Sequence, residues 1–264
     1  MLATSPIPKR FAAWNRKWGA PEGRVRRPEL LLSGRTRDRM AWARPQIRGP
    51  FGFQPNNPTR KFEFPWAYEA IAPRAGQRAL EVGGSNSGLQ FVLSREGVAV
   101  TNVDPGTEAR GRGWSVDAES IARLNRAFKT DVRLISSTLR EADLPADHFD
   151  IAYSVSTIEH IPPDEYPELM ATLARVLRPG GRLVLTVDLF LNLAPFTTRT
   201  SNEWGTNADV AELVALSGMR LVEGDRRQLL GYPEFSADEV LSRMEDLTFG
   251  GYPTGAQCLV LQRD

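Results

Sequence analysis

From about residue 62 onward, short apolar runs alternate with stretches of helical periodicity. The runs are Ala79–Val82, Gly97–Val103, Val132–Ile135, Asp150–Ser154 and Arg182–Val187. Between them Leu89–Arg95 reads as a helix, and Ala118–Phe128 puts Ile121, Leu124 and Phe128 on one face. Tyr166–Leu177 carries Leu169, Leu173 and Leu177 at spacing four, and Pro179-Gly180-Gly181 is expected to stop it with a left-handed residue. Ala208–Ser217 ends at Gly218, after which Met219–Val222 and Gln257–Leu261 close the series of strands. Strands alternating with helices in this way predict an α/β fold, a doubly wound and mostly parallel sheet. There is no internal repeat.

Residues 1–60 read differently. They are rich in Pro, Gly and Arg, with only a short helix expected at Pro28–Leu32. Phe62–Ile71 is an aromatic helix leading into the first strand. The pattern divides the chain into an extension over residues 1–64 and a ligand-binding domain over 65–264.

The chemistry starts at the first turn. Ala79 to Gly88 is a strand, an acidic residue near its end (Glu81), and a glycine-rich turn into a helix; the second strand ends in another carboxylate, Asp104. In a doubly wound sheet the ligand lies over the carboxyl ends of the strands. Gly83 and Gly84 let the backbone approach a ligand with no Cβ in the way, and Asp104 is placed to accept hydrogen bonds from ribose hydroxyls. The turn lacks G-x-G-x-x-G, which disfavours a dinucleotide, and lacks G-x-x-x-x-G-K-[ST], which disfavours a nucleoside triphosphate. A carboxylate at the first strand's end repels phosphate and suits an ammonium group. A nucleoside carrying an amino acid, S-adenosylmethionine, fits both ends.

Composition changes this picture in one respect. The 264 residues, 41% hydrophobic and 25% charged, suit one large globular domain with an extension. A single cysteine, Cys258, leaves no internal disulfide framework and no cysteine-based zinc site. No apolar run is long enough to span a membrane, and Met1–Ala13 lacks the apolar core of a secretory signal, so a cytoplasmic protein is expected. The net charge of +1, however, is unevenly spread. Residues 1–60 hold 13 Lys and Arg against 3 acids, leaving 20 against 29 for the remainder. Such an arm either binds nucleic acid or packs on its own acidic domain, and its interspersed aromatics favour packing. Because it precedes the first strand, the arm is expected to cover the acceptor pocket as a lid, hinged at Phe62–Tyr68.

Four blocks in order, Ala79–Gly88, Asn102-Val103-Asp104, Phe149–His160 and Arg175–Leu185, make residues 65–264 resemble the class I S-adenosylmethionine-dependent methyltransferases of the small-molecule type. The resemblance implies a seven-stranded sheet in the order 3-2-1-4-5-7-6 with the seventh strand antiparallel. It implies that Glu81, Gly83, Gly84, Ser85 and Asn86 hold the methionine part and Asp104 the ribose. Thr138 and Leu139 would lie on the adenine side, and Ser154 and Val155 along the methionine and sulfonium. The chain departs from the family pattern at Ser85 and Ser87, which replace later glycines of the turn, and at Thr138, which replaces an aspartate.

Methyl transfer from a sulfonium needs alignment and, for a hydroxyl acceptor, a base. His160, after the fourth strand, and Asp188, after the fifth, are the candidates. Some quinone O-methyltransferases carry a Glu-x-x-Glu-His metal site there; here the first position is Ser156, so no metal is expected. The polar and aromatic stretch Asp188–Trp204 borders the acceptor pocket and suits a hydroxylated or glycosylated metabolite. The N-P-P-[FYW] and Pro-Cys motifs of DNA methyltransferases are absent, so nucleic acid is disfavoured. RNA methylation through the basic arm, and a non-catalytic scaffold, remain as alternatives, and the oligomeric state is not legible.

Overall fold

The computed structural model describes residues 1–24, 33–106 and 115–264; the helix expected at Pro28–Leu32 lies outside the described residues. The sheet contains β1 (Arg78–Val82), β2 (Ala99–Val103), β3 (Arg133–Ile135), β4 (Phe149–Val155), β5 (Leu177–Phe190), β6 (Arg220–Glu223) and β7 (Thr254–Gln262), in the order 3-2-1-4-5-7-6. Strands 1 to 5 pair in parallel, and β7 runs antiparallel to both β5 and β6. The expected fold class is therefore the observed one.

Helices cover both faces. On one side α5 (Gly88–Arg95) and α6 (Ala118–Phe128) pack with α4 (Arg60–Ile71); on the other α7 (Tyr166–Val176) packs on α8 (Val210–Ser217). The local starts follow from caps. Ser87 accepts from Leu89 N, Asp117 and Ser120 form a capping box, and Asp209 accepts from Glu212 N. Helix α7 ends at Val176 with Leu177 already extended, so Gly180 (φ 75°) is not its stop; it bends the strand that follows. Strand β5 runs to Phe190, three residues past the expected end, because β7 pairs with it all the way, Phe190 opposite Thr254. Asp188 consequently lies in the strand and not in the loop after it.

The extension is built into the core. Its helices are α1 (Lys9–Trp18), α2 (Gly34–Ala43) and α3 (Pro45–Arg48). Phe11 meets Phe62 edge-on at 5.0 Å between ring centroids, and Phe51 meets Phe64 at 4.9 Å. A second series runs from Trp42 to Phe53, Phe128 and Phe91. Aromatic pairs of this kind add roughly 0.5–1.5 kcal/mol each beyond the area they bury. Residues Phe62–Tyr68 offer no hinge, since they lie inside one buried helix. Pro65 within that helix leaves the Lys61 carbonyl without its usual partner, and the Asn15 amide of α1 donates to that carbonyl at 2.7 Å. Among the described residues of 1–59, Arg10 pairs with Glu69 at the surface; the extension is held by aromatic packing more than by its charge. Further on, Cys258 N donates to Met1 O and Ala3 N to Ala256 O, setting residues 1–3 alongside β7. Residues 191–207 and the short helices α9 (Ala237–Ser242) and α10 (Met244–Leu247) form a separate apolar cluster with Leu2 and Leu189. No helix among the described residues is long and apolar enough to cross a membrane.

Candidate active site

The turn after β1 is held from beneath by polar side chains. Asn102, two residues before Asp104, accepts from Gly84 N at 3.2 Å and donates to Ser85 O at 3.0 Å and to Gln90 Oε1 at 3.2 Å. Gln90 in turn donates to Ser85 O. From the sequence, Asn102 stands out only as a member of the Asn102-Val103-Asp104 block and Gln90 not at all, though an amide in an otherwise apolar strand is a readable signal. Ser85 sits at φ 45°, the left-handed conformation a glycine would adopt freely. That strain, about 1–3 kcal/mol for such positions, is offset by the hydrogen bond its N–H donates to Asp104 Oδ2 at 2.7 Å.

Asp104 also accepts from Gly106 N through Oδ1 at 2.6 Å. Its carboxylate therefore closes two turns at once, and each oxygen keeps a lone pair for a further donor. Burial raises its pKa, against the two backbone N–H groups, which lower it.

Glu81 is buried, and its Oε2 has no hydrogen-bond partner; the buried Ser85 hydroxyl has none either. Burial pushes the Glu81 carboxyl up to about 8, with Asp104 adding in the same direction and Tyr153 and Ser87 opposing. An ammonium-bearing ligand at this turn would meet an unsatisfied acid, so the residues present fit an amino-acid-bearing nucleoside. The glycines serve packing as well. A Cβ at Gly83 (φ 70°) would run into Thr157, one at Gly84 into the Glu81 side chain, and one at Gly88 into the Phe51 ring. Phe51 thus places the extension directly against the start of α5. Asn86 bridges to the loop before α6, donating to Ser115 O and accepting from Ser120 Oγ.

The remaining expected residues are spread along the same edge. Thr138 caps a turn with Glu141, their side chains 2.8 Å apart, and Leu139 is buried beneath it. The Ser154 hydroxyl donates to Val82 O at 3.1 Å, tying β4 to β1. Val155 is the last residue of β4, and Ser156 takes φ 49°. Thr157 donates to Gly83 O at 3.3 Å, so the segment after β4 touches the turn after β1.

Two residues further on, Glu159 enters a buried cluster that the sequence did not reveal. Arg60 and Glu63 come from α4, Glu159 and Ser156 from after β4, and Thr186 and Asp188 from β5. Arg60 pairs with Glu63, lies 3.7 Å from Asp188, and Thr186 donates to Glu63 at 2.5 Å. Ser156 donates to Glu159. Burial works against the Arg60 charge, but Glu63, Asp188 and Glu159 outweigh it and raise its pKa. Burial pushes Glu159 up to about 7, and Asp188 well above the usual carboxylate range, with Glu159 adding to the latter. Among the described residues no three His, Cys, Asp or Glu side chains are arranged to hold a metal ion; the cation among these acids is Arg60.

The loop after β5 passes over this cluster. Gly205 lies so close to the Glu159 carbonyl that no Cβ fits, and His160 donates through Nδ1 to Trp204 O. Asn207 holds both polar groups of Phe190, and Asn202 accepts from Trp204 N and Gly205 N. Trp204 itself remains 49% exposed. His160 and Asp188 are thus brought to one end of the sheet, His160 in the short helical turn after β4 and Asp188 at the end of β5.

Comparison with known proteins gives the family. A family described as a methyltransferase domain matches residues 57–228. A ubiquinone biosynthesis O-methyltransferase of Aeromonas salmonicida is 25% identical over 185 residues, covering 63% of this chain and 73% of that protein. The 27-O-demethylrifamycin SV methyltransferase of Amycolatopsis mediterranei is 31% identical over 117 residues, covering 42% of this chain and 39% of its own. Among solved structures, the [4+2]-cyclase SpnF shares the fold with a TM-score of 0.57 at 14% identity, over 92% of this chain and 98% of its own. The 1,6-didemethyltoxoflavin-N1-methyltransferase of Burkholderia thailandensis, with bound S-adenosylhomocysteine, does so at 0.53 and 17% identity, over 99% and 94%. The chain belongs to the methyltransferase-domain family and is an S-adenosyl-L-methionine-dependent methyltransferase.

Proposed function

We propose that the protein methylates an oxygen of a small hydroxylated metabolite. The observation that carries this reading is the polar loop clamped across Glu159 and His160, above buried acids and on the segment whose Thr157 touches the turn after β1. A hydroxyl placed there has acceptors within the cluster and an aromatic neighbour in the exposed Trp204. The two relatives described above methylate oxygen by their names, which supports the same acceptor atom.

In this reading Glu81 takes the cofactor's ammonium, and Asp104 the ribose hydroxyls through the lone pairs its two backbone bonds leave. Ser85 and Asn86 line the amino-acid side, Thr138 and Leu139 the adenine side, and Ser154 and Val155 the floor. When bound, the cofactor supplies an electrophilic methyl group on a sulfonium. The chain's own contribution is alignment and water exclusion. The extension, residues 1–64, forms a fixed wall, with Phe51 supporting the turn and Arg60 reaching the acceptor end.

The test is incubation of the full chain with methyl-labelled S-adenosylmethionine and a pool of hydroxylated metabolites, read by mass spectrometry. Label in a methyl ether is the expected result. Label on nitrogen or carbon, or in RNA, would overturn the oxygen assignment.

A further inference from the structure

The acidic residues at the acceptor end outnumber their cation. Glu63, Glu159 and Asp188 surround the single guanidinium of Arg60, and Glu63 is already committed to it and to Thr186. Asp188 and Glu159 are each 1% exposed, and Asp188 Oδ1 and Glu159 Oε2 have no hydrogen-bond partner. Ser156 donates to Glu159 and also faces Asp188. Two buried carboxylates near one another, sharing with Glu63 the one guanidinium of Arg60, which lies 3.7 Å from Asp188, cannot both ionise easily and come to share a proton.

Their position gives this chemistry a use. Ser156 N bonds Thr186 O at the end of the β4–β5 pairing, and Asp188 lies two residues beyond. Thr157, between Ser156 and Glu159, touches Gly83 of the cofactor turn. The pair therefore stands next to the turn that holds the methionine part, under the loop assigned to the acceptor.

Building on the O-methyl transfer reading, we propose that Glu159 and Asp188 act as one proton-sharing pair that takes the proton released by the acceptor hydroxyl. The balance is simple. The acceptor oxygen bonds the methyl carbon, and the carbon–sulfur bond breaks with its electrons going to sulfur, which becomes neutral. The O–H bond breaks and its proton goes to the carboxylate pair. The pair needs no metal for this, and the charge it gives up is the excess negative charge of the cluster.

Each group facing the pair has a part. From α4, Arg60 lowers and Glu63 raises the acids' proton affinity. Tyr166 of α7 and Tyr252 before β7 feel the charge of Glu159, and Tyr252 and Cys258 that of Asp188. Tyr252 is half-buried and is a member of the set that reaches the surface. Burial pushes Glu159 up to about 7, and a proton acceptor is most effective when its pKa lies near the pH at which it works.

Two readouts test the proposal on the full chain. The first needs no acceptor: carboxyl carbon NMR of Asp- and Glu-labelled protein with S-adenosylhomocysteine, titrated from pH 5 to 9. A carboxyl that titrates near neutrality and is lost in Glu159→Gln is expected, with its midpoint moved in Asp188→Asn. If the titration near neutrality is the same in both variants, the pair holds no exchangeable proton and the proposal falls. The second is methyl transfer to catechol and to 4-nitrocatechol, which is ionised near neutral pH. Glu159→Gln should lose about 10²–10⁴-fold with catechol and under tenfold with 4-nitrocatechol. Equal losses with both would reduce the pair to a structural role while leaving O-methylation standing. If the wild type alkylates nitrogen or carbon acceptors instead of hydroxyls, the O-methyl reading fails and this inference with it.

Discussion

The two ends of the ligand edge handle buried acids in opposite ways. At the cofactor end, Asp104 accepts from backbone N–H groups of the very turns it organises, and Glu81, near Tyr153 and Ser87, keeps its Oε2 without a partner beside a glycine turn. At the acceptor end, Glu63, Glu159 and Asp188 are drawn from three elements and share one arginine. The first arrangement leaves single carboxyls for a ligand to complete. The second ties its members together, so that removing one changes the charge state of all the others. In the proposed reading, binding and proton handling fall to separate groups about one sheet.

The sharpest way to break the second arrangement is Arg60→Met. It leaves three buried carboxyls with no cation, and loss of one partner of a buried pair costs about 3–5 kcal/mol. Thermal unfolding should show a large drop in Tm at pH 8 and partial recovery at pH 5. The recovery follows from sign. A carboxyl whose folded pKa is raised, as at Glu159, stabilises fully below its unfolded value and loses that contribution as pH rises through about 7. An unchanged Tm at pH 8 would mean that Arg60 does not hold the cluster together.

Asp104→Ala probes the first arrangement. Hydrogen bonds to a charged acceptor contribute about 1.5–3 kcal/mol, so cofactor affinity by calorimetry should fall roughly ten- to hundredfold. Because Asp104 also holds Ser85 and Gly106, a loss of stability should accompany it. Intact affinity in the folded variant would remove the residue from the site.

The smallest effect is expected from His160→Ala. Its Nδ1 donates to Trp204 O, a bond contributing about 1 kcal/mol. Methyl transfer should drop less than tenfold; a loss of a thousandfold or more would make His160 the base and displace the carboxyl pair.

The difference between the ends also decides what the sequence discloses. Glu81, the Gly83-Gly84 turn and Asp104 lie within one strand–turn–helix–strand unit, so local spacing is enough to align them. The alternation of apolar runs is enough for the α/β class, whereas the sheet order follows from the resemblance that the four blocks carry. Arg60 and Glu63 lie ninety-six residues or more before Glu159 in the chain, and no local pattern links them; only the packing of α4 across β4 and β5 does. Asp188 was identifiable as an acid near a strand's end, but its burial depended on β7 extending the pairing to Phe190. The helices of the extension were hidden by their many arginines, since their apolar faces are made of widely spaced aromatics. That Ser85 and Ser156 adopt left-handed backbone, as glycines would, shows only in the structure.

The central claim is that Glu81 waits as a buried acid for the cofactor's ammonium. The direct test is calorimetric titration of the full chain with S-adenosylhomocysteine at pH 6 and pH 8, in buffers of different ionisation enthalpy. With Glu81 at about 8 in the free protein, binding its ionised form should release a proton below that pH and tighten roughly tenfold per unit up to it. Glu81→Gln should bind more weakly and lose this pH dependence. Affinity that does not change between pH 6 and pH 8, with no proton released, would contradict the account.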